Sequence, residues 1–243
     1  MKSANRQPVV IQLTKPFAQG RVVGLLAGSL WIAGSGLTAR GADVFTVDTG
    51  QSRVSISGTV MGARIQAQGS GSLTAQYGGT LLADASGNTI RFPGQSQVVA
   101  IDSGTWQPLS DGSAGSEPAN YGGTASYFSA AGVAAARDLR VDVSSGALAL
   151  VNGRFDTEGI TVSIPDEAAS SLAYRVQGAI NKSGAVSLAG GRASGQVAQG
   201  SVITAGGLQV LTIPIHYSFD FSLVSPNDTT VTLTGQLVAT RTL

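Results

Sequence analysis

A chain of 243 residues with 42% apolar and only 12% charged residues has the length and apolar content of a folded domain with a sizeable core. It contains no cysteine, which excludes a disulfide scaffold, thiol catalysis and cysteine-ligated metal centres; a single histidine makes zinc or copper sites improbable. Fifteen basic residues face fourteen acidic ones, but five of the basic residues and none of the acidic ones fall in the first 41 positions. The remainder carries a net charge of −4, which argues against a nucleic-acid partner.

The N-terminal stretch differs from the rest. Lys2, Arg6, Lys15 and Arg21 precede an apolar run from Val22 to Ala33, and small residues follow to Ala39-Arg40-Gly41. A basic start, a short apolar middle and a small-x-small end read as a secretory signal peptide over residues 1–41. The alternative, an uncleaved membrane anchor, is weakened by the glycines and serines that dilute the run. Residues 42–243 then form a single all-β domain, exported to the periplasm or the extracellular space, with no transmembrane span once the signal is removed.

From residue 45 the dominant signal is alternation, which puts apolar side chains on one face of a strand and polar ones on the other. Val54, Ile56 and Val60 alternate with Arg53, Ser55 and Ser57. A run from Ile65 to Ala83 reads as one long strand interrupted at Gly69 and Gly71. Short strands follow at Ile90–Phe92 and Val98–Ile101. Alternation then fails from Ser103 to Gly123, which reads as a long structureless loop. Residues 128–139 are alanine-rich and are expected to form one short helix, weakened by Gly132. Strands resume at Leu139–Val143, turn at Ser144-Ser145-Gly146, and continue through Phe155, Ile160–Ile164 and Leu172–Ile180. Asn181-Lys182-Ser183-Gly184 reads as a hairpin turn. The clearest element comes last. Leu211, Ile213, Ile215, Tyr217, Phe219 and Phe221 alternate with polar residues, turn through Val224-Ser225-Pro226-Asn227-Asp228, and return through Val231, Leu233, Leu237 and Ala239. The whole predicts a single antiparallel barrel or barrel-like sandwich of roughly ten to twelve strands, with at most one short helix.

A local pattern, apolar-x-Gly-x-apolar, occurs at Gly58, Gly153, Gly178 and Gly235. Glycine on the apolar face of a strand forfeits packing, so its recurrence points to an architectural requirement such as local curvature.

The stretch Phe45-Thr-Val47-Asp48-Thr-Gly-Gln51-Ser52-Arg-Val54-Ser-Ile56 resembles the first strand of the YceI-like family of bacterial periplasmic proteins, and Gly71-Ser-Leu73, Tyr77 and Gly79-Thr-Leu81 resemble its second region. The match covers about forty residues. Gln51 stands where the family usually has histidine. The resemblance implies a lipocalin-like antiparallel barrel holding a long isoprenoid-type lipid.

Catalytic and metal-binding patterns are thin. His216 shares a strand face with Ser218, Asp220 and Ser222, but residues two apart on one face lie about 6.6–6.8 Å apart, too far for a triad within one strand. Asp156 with Glu158, Asp166 with Glu167 and Asp138 with Asp142 lack calcium-loop spacing. No cofactor motif occurs in the chain beyond residue 41. The aromatic residues in and beside the 103–123 segment, Trp106, Tyr121, Tyr127 and Phe128, are the candidate ligand-binding residues, placed where a loop covers the mouth of a barrel. The expected function is non-enzymatic binding of an apolar small molecule of lipid or isoprenoid type. The competing expectation is a surface or matrix structural protein without a ligand. An outer-membrane barrel is disfavoured by sparse aromatic girdles and by Arg241 on an apolar strand face.

Overall fold

A computed structural model describes residues 41–127, 129–194, 197–221 and 229–243. The signal-peptide reading and the turn at 224–228 therefore lie outside the described residues. Among the described residues there is no helix.

The chain enters at β1 (Asp43–Val47) and β2 (Arg53–Val60), then makes two short pieces, β3 (Ala63–Arg64) and β4 (Gln66–Ala67). The long β5 (Thr74–Ser86) turns into β6 (Thr89–Pro93) and β7 (Gln97–Ala100). A small ribbon, β8 (Gly104–Trp106) and β9 (Glu117–Ala119), precedes β10 (Tyr121–Tyr127), β11 (Ala130–Arg137) and β12 (Arg140–Ala149). Then come β13 (Arg154–Asp156), β14 (Ile160–Ser163), β15 (Ser171–Gly178), β16 (Lys182–Ser187), β17 (Arg192–Ser194) and β18 (Gln199–Ala205). The final hairpin is β19 (Leu208–Phe221) with β20 (Thr229–Thr242).

Thirteen strands form one antiparallel sheet, along the path β13-β18-β19-β20-β1-β5-β6-β12-β14-β17. β1 and β2 lie end to end between β5 and β20, because β1 pairs Phe45 with Leu81 and Thr46 with Thr240 while β2 pairs Ser55 with both Thr74 and Thr234. They are one strand bent at residues 48–52. Asp48 accepts from the Gly50 and Gln51 amides there, and the buried Ser52 hydroxyl bridges both backbone groups of Val238 at 2.9 and 3.0 Å. β6 and β7 fill one position between β5 and β12 in the same way. The sheet rolls up until β17 packs beside β19.

The alternation in sequence is the reason for this shape. Leu211, Ile213, Ile215 and Tyr217 are buried, and Phe219 packs half-buried against the same core. Phe45, Tyr77, Leu81, Ile90, Phe92, Phe155 and Leu237 complete it, with the Phe92 and Phe155 rings tilted 5.8 Å apart. Each such side chain contributes about 1.5–3 kcal/mol on full burial. Arg241 points inward at one end and is satisfied there. It pairs with Asp43, lies over the Phe45 ring at 5.2 Å, and donates to Gln209 at 2.7 Å. Pro214 falls just past Thr212, the last residue of β19 that pairs with β18, so its missing N–H breaks no ladder on that side.

A second sheet, in the order β16-β15-β11-β10-β4, lies apart from the first. Its central strand β11 is the segment expected to be helical. Ala-Ala-Gly-Val-Ala-Ala-Ala favours helix by propensity alone, but its backbone is laddered on both sides, to β10 and to β15, and that pairing decides. Other local expectations also change. Residues 68–73 form a turn before β5, so the run from Ile65 to Ala83 is not one strand. Ser144-Ser145-Gly146 is not a turn, since β12 passes through it with a bulge between Ser144 and Ala147. The β15–β16 turn comes earlier than expected, with Val176 already opposite Lys182.

The four recurrent glycines share one cause. A Cβ would sit 1.9 Å from the Thr230 carbonyl oxygen at Gly58, 2.1 Å from that of Arg53 at Gly235, 2.0 Å from Ser129 at Gly178 and 2.7 Å from Val202 at Gly153. A neighbouring strand's backbone occupies the side-chain position, so only glycine fits.

Candidate functional site

The segment expected to be a structureless loop is pinned from beneath by two buried polar side chains. Arg137 is 6% exposed and its guanidinium fork matches several acceptors at once. Nε lies 2.9 Å from Glu117 Oε1 and donates to the Pro118 carbonyl, while Nη2 donates to the Trp106 and Pro108 carbonyls. Asn120 donates to the Ala100 carbonyl and to Asp102, and accepts from the Leu139 amide. The result is the β8–β9 ribbon.

Trp106 is half-buried against backbone. A Cβ on Gly122 would lie 2.5 Å from its Cγ, and Gly69 and Gly104 also abut the ring. Its indole N–H donates to Ser103 Oγ at 2.9 Å. Tyr121 points from the opposite face of β10 and is 1% exposed. Its hydroxyl donates to the Val54 carbonyl at 3.1 Å and lies 3.0 Å from the Tyr77 hydroxyl. Burial pushes the Tyr77 phenol up to about 12, and burial together with Tyr77 pushes Tyr121 well above its ordinary value. The structure thus separates these two aromatics by the thickness of the second sheet. The Tyr127 side chain and Phe128 lie outside the described residues.

Tyr121 does mark the floor of an apolar groove, of about 80 Å³, between the second sheet and the β2–β20 pair. One wall carries small side chains in register, with Gly123 and Ala125 from β10 beside Ala136, Ala134 and Gly132 from β11. Leu172, Tyr174 and Val176 of β15 extend that wall, and Ile56, Val60 and Val231 form the facing one. Two bulky walls would meet and close; the small residues hold the second sheet together by backbone pairing while leaving space between it and the large sheet. The signal for this site was the small-residue content of residues 122–136, in which the alanines favour helix when read by propensity.

The interior of the large sheet is different. A pocket beside Tyr77 and Val143 has a volume of only about 10 Å³, room for at most one water. The core side chains Tyr77, Leu81, Phe92 and Phe155 pack together within this sheet. Outside it, His216 stands opposite Thr234, and the neighbouring Ser218 and Asp220 bond to Thr232 and Thr230 at 2.9 and 2.7 Å. Among the described residues no group of three His, Asp or Glu side chains is placed to hold a metal ion. No helix among them is long and apolar enough to cross a membrane, which says nothing about crossing by strands. Comparison with family models, with curated proteins and with solved structures finds no match to this chain.

Proposed function

We propose that the protein is an exported, non-enzymatic β-protein that binds an apolar chain, of fatty-acyl or isoprenoid type, in the groove beneath the second sheet rather than inside the large one. The observation that carries this reading is the groove's wall of small residues facing Ile56, Val60 and Val231, with Tyr121 closing its inner end. Its volume of about 80 Å³ is below the ~150 Å³ apolar cavity that admits benzene, so it takes the end of a chain and leaves the remainder outside. The resemblance of the Phe45–Ile56 stretch to YceI-like proteins supports the same ligand class. The basic and apolar N-terminal stretch supports export.

The test is fluorescence titration of the protein, purified from residue 42 onward, with dansyl-undecanoic acid, and displacement by farnesol. Saturable binding that is lost in Ala134→Leu, which fills the groove, is the expected result. A titration with no saturation, together with native mass spectrometry showing only the bare polypeptide mass after gentle extraction, overturns it. A structural role without a ligand is the second reading, and the filled interior of the large sheet favours it.

A further inference from the structure

The outer face of β5, β2, β20 and β19 carries a lattice of short polar side chains that the apolar groove does not use. Strand register sets Thr74, Ser55, Thr234 and His216 in one row, and Ser57, Thr232 and Ser218 in the next. Adjacent hydroxyls pair across the strands, Ser55 with Thr74 at 2.8 Å and Ser218 with Thr232 at 2.9 Å. On the other side of the first row, Gln76, Arg53 and Gln236 end the lattice at a cleft of about 300 Å³. Arg53, Thr74, Gln76, Ile101, Asp102 and Ser103 line this cleft. It shares no residue with the groove.

Two features give the cleft chemical character. Arg53 and Asp102 face the same space, yet no ion pair joins them, whereas Arg137–Glu117 and Arg241–Asp43 are closed pairs. Asp102 is also held in place, since Asn120 donates to its Oδ1 at 3.0 Å while the second carboxylate oxygen has no partner among the described residues. A fixed acceptor thus stands across from a planar five-donor fork, with the Gln76 amide between them and the 43%-exposed Ile101 as an apolar patch. An anion would meet Asp102 and a cation would meet Arg53. A neutral vicinal diol meets neither objection, because one hydroxyl accepts from the guanidinium while its neighbour donates to the carboxylate.

We propose that this cleft binds one sugar ring of a neutral oligosaccharide, and that the hydroxyl rows of β2 and β20 continue as a track for the rings that follow. The cleft lies at the low end of the ~300–1,000 Å³ range of small-molecule sites, which fits a single ring rather than a branched ligand.

Saturation-transfer NMR and calorimetry with cellotetraose, xylotetraose and mannotetraose test the proposal. At least one of the three is expected to bind with a Kd on the order of millimolar. Arg53→Gln and Asp102→Asn should each weaken that binding about tenfold, since each removes a charge-assisted hydrogen bond. Asp102→Asn keeps an oxygen to accept from Asn120, so the fold is retained, and unchanged thermal unfolding checks this. Absence of binding for all three sugars up to their solubility limits, or binding indifferent to both substitutions, overturns the proposal. Failure of apolar-chain uptake by the groove leaves this outcome unaffected.

Discussion

The two sheets solve one problem in opposite ways. The large sheet holds itself together by bulk, with Phe92 against Phe155 and Tyr77 beside Val141 and Val143. The second sheet holds itself together by backbone pairing, with β11 laddered on both sides and small side chains between it and the large sheet. The difference separates cohesion from capacity. The bulky side chains leave a pocket of only about 10 Å³ beside Tyr77, and the laddered small residues leave a groove of about 80 Å³.

The contrast is broken most directly by truncating the bulk. Phe92→Ala should lose about 3–5 kcal/mol, read by denaturant unfolding, because the tight packing on Phe155 gives the cavity little chance to collapse. Gly235→Ala comes next. Its new methyl would lie 2.1 Å from the Arg53 carbonyl oxygen, so β2 and β20 must separate locally, at about 2–3 kcal/mol by the same measurement.

A subtler pair uses two buried phenols in the same molecule. Tyr121→Phe removes the donor to the Val54 carbonyl and one partner of Tyr77, and should cost about 1–2 kcal/mol. Tyr217→Phe should instead be neutral or stabilising by up to about 1 kcal/mol, because the Tyr217 hydroxyl is buried with no partner among the described residues. Thermal unfolding of the two variants in parallel decides the sign. The smallest effect belongs to the second sheet: Ala134→Leu should change stability by less than about 1 kcal/mol, since it fills open space rather than a packed core.

Alkaline pH probes the buried phenols without mutation. The Tyr77 phenol, ordinarily near 10, is pushed up to about 12 by burial, and Tyr217 likewise. A raised folded value means that their contribution to stability is fully present below pH 10 and is lost as pH rises from 10 through 12, because the unfolded chain ionises first. Unfolding midpoints across that window should fall, together with a delayed rise in tyrosinate absorbance. Tyr217→Phe should flatten part of the fall.

Most of the large sheet was legible in the residues, because every second side chain of Leu211–Tyr217 or of Ala75–Leu81 is apolar and period two has one structural meaning. The second sheet was not, for a physical reason. Glycine and alanine carry almost no hydrophobic contrast, so β10 and β11 show no period, and the remaining signal is alanine's helix propensity, which tertiary pairing overrides. The β8–β9 ribbon was hidden differently. Its order depends on Arg137, which lies some twenty residues away on β11, and no local reading of 103–119 contains that partner. Of the aromatic residues singled out for ligand contact, Tyr121 reaches the groove and Trp106 stands on the other side of its strand. The wall that defines the groove is built from residues too small to attract notice.

The bent β1–β2 strand has a consequence for the order of synthesis. Its two neighbours are β5, made shortly afterwards, and β20, where Val238 lies 186 residues beyond Ser52. The ribosome must therefore deliver β20 before this strand can be flanked on both sides, and the Asp43–Arg241 pair closes only when Arg241 arrives. Contacts this distant along the chain favour slow closure, so the nascent sheet stays unsealed along this strand until β20 has been made.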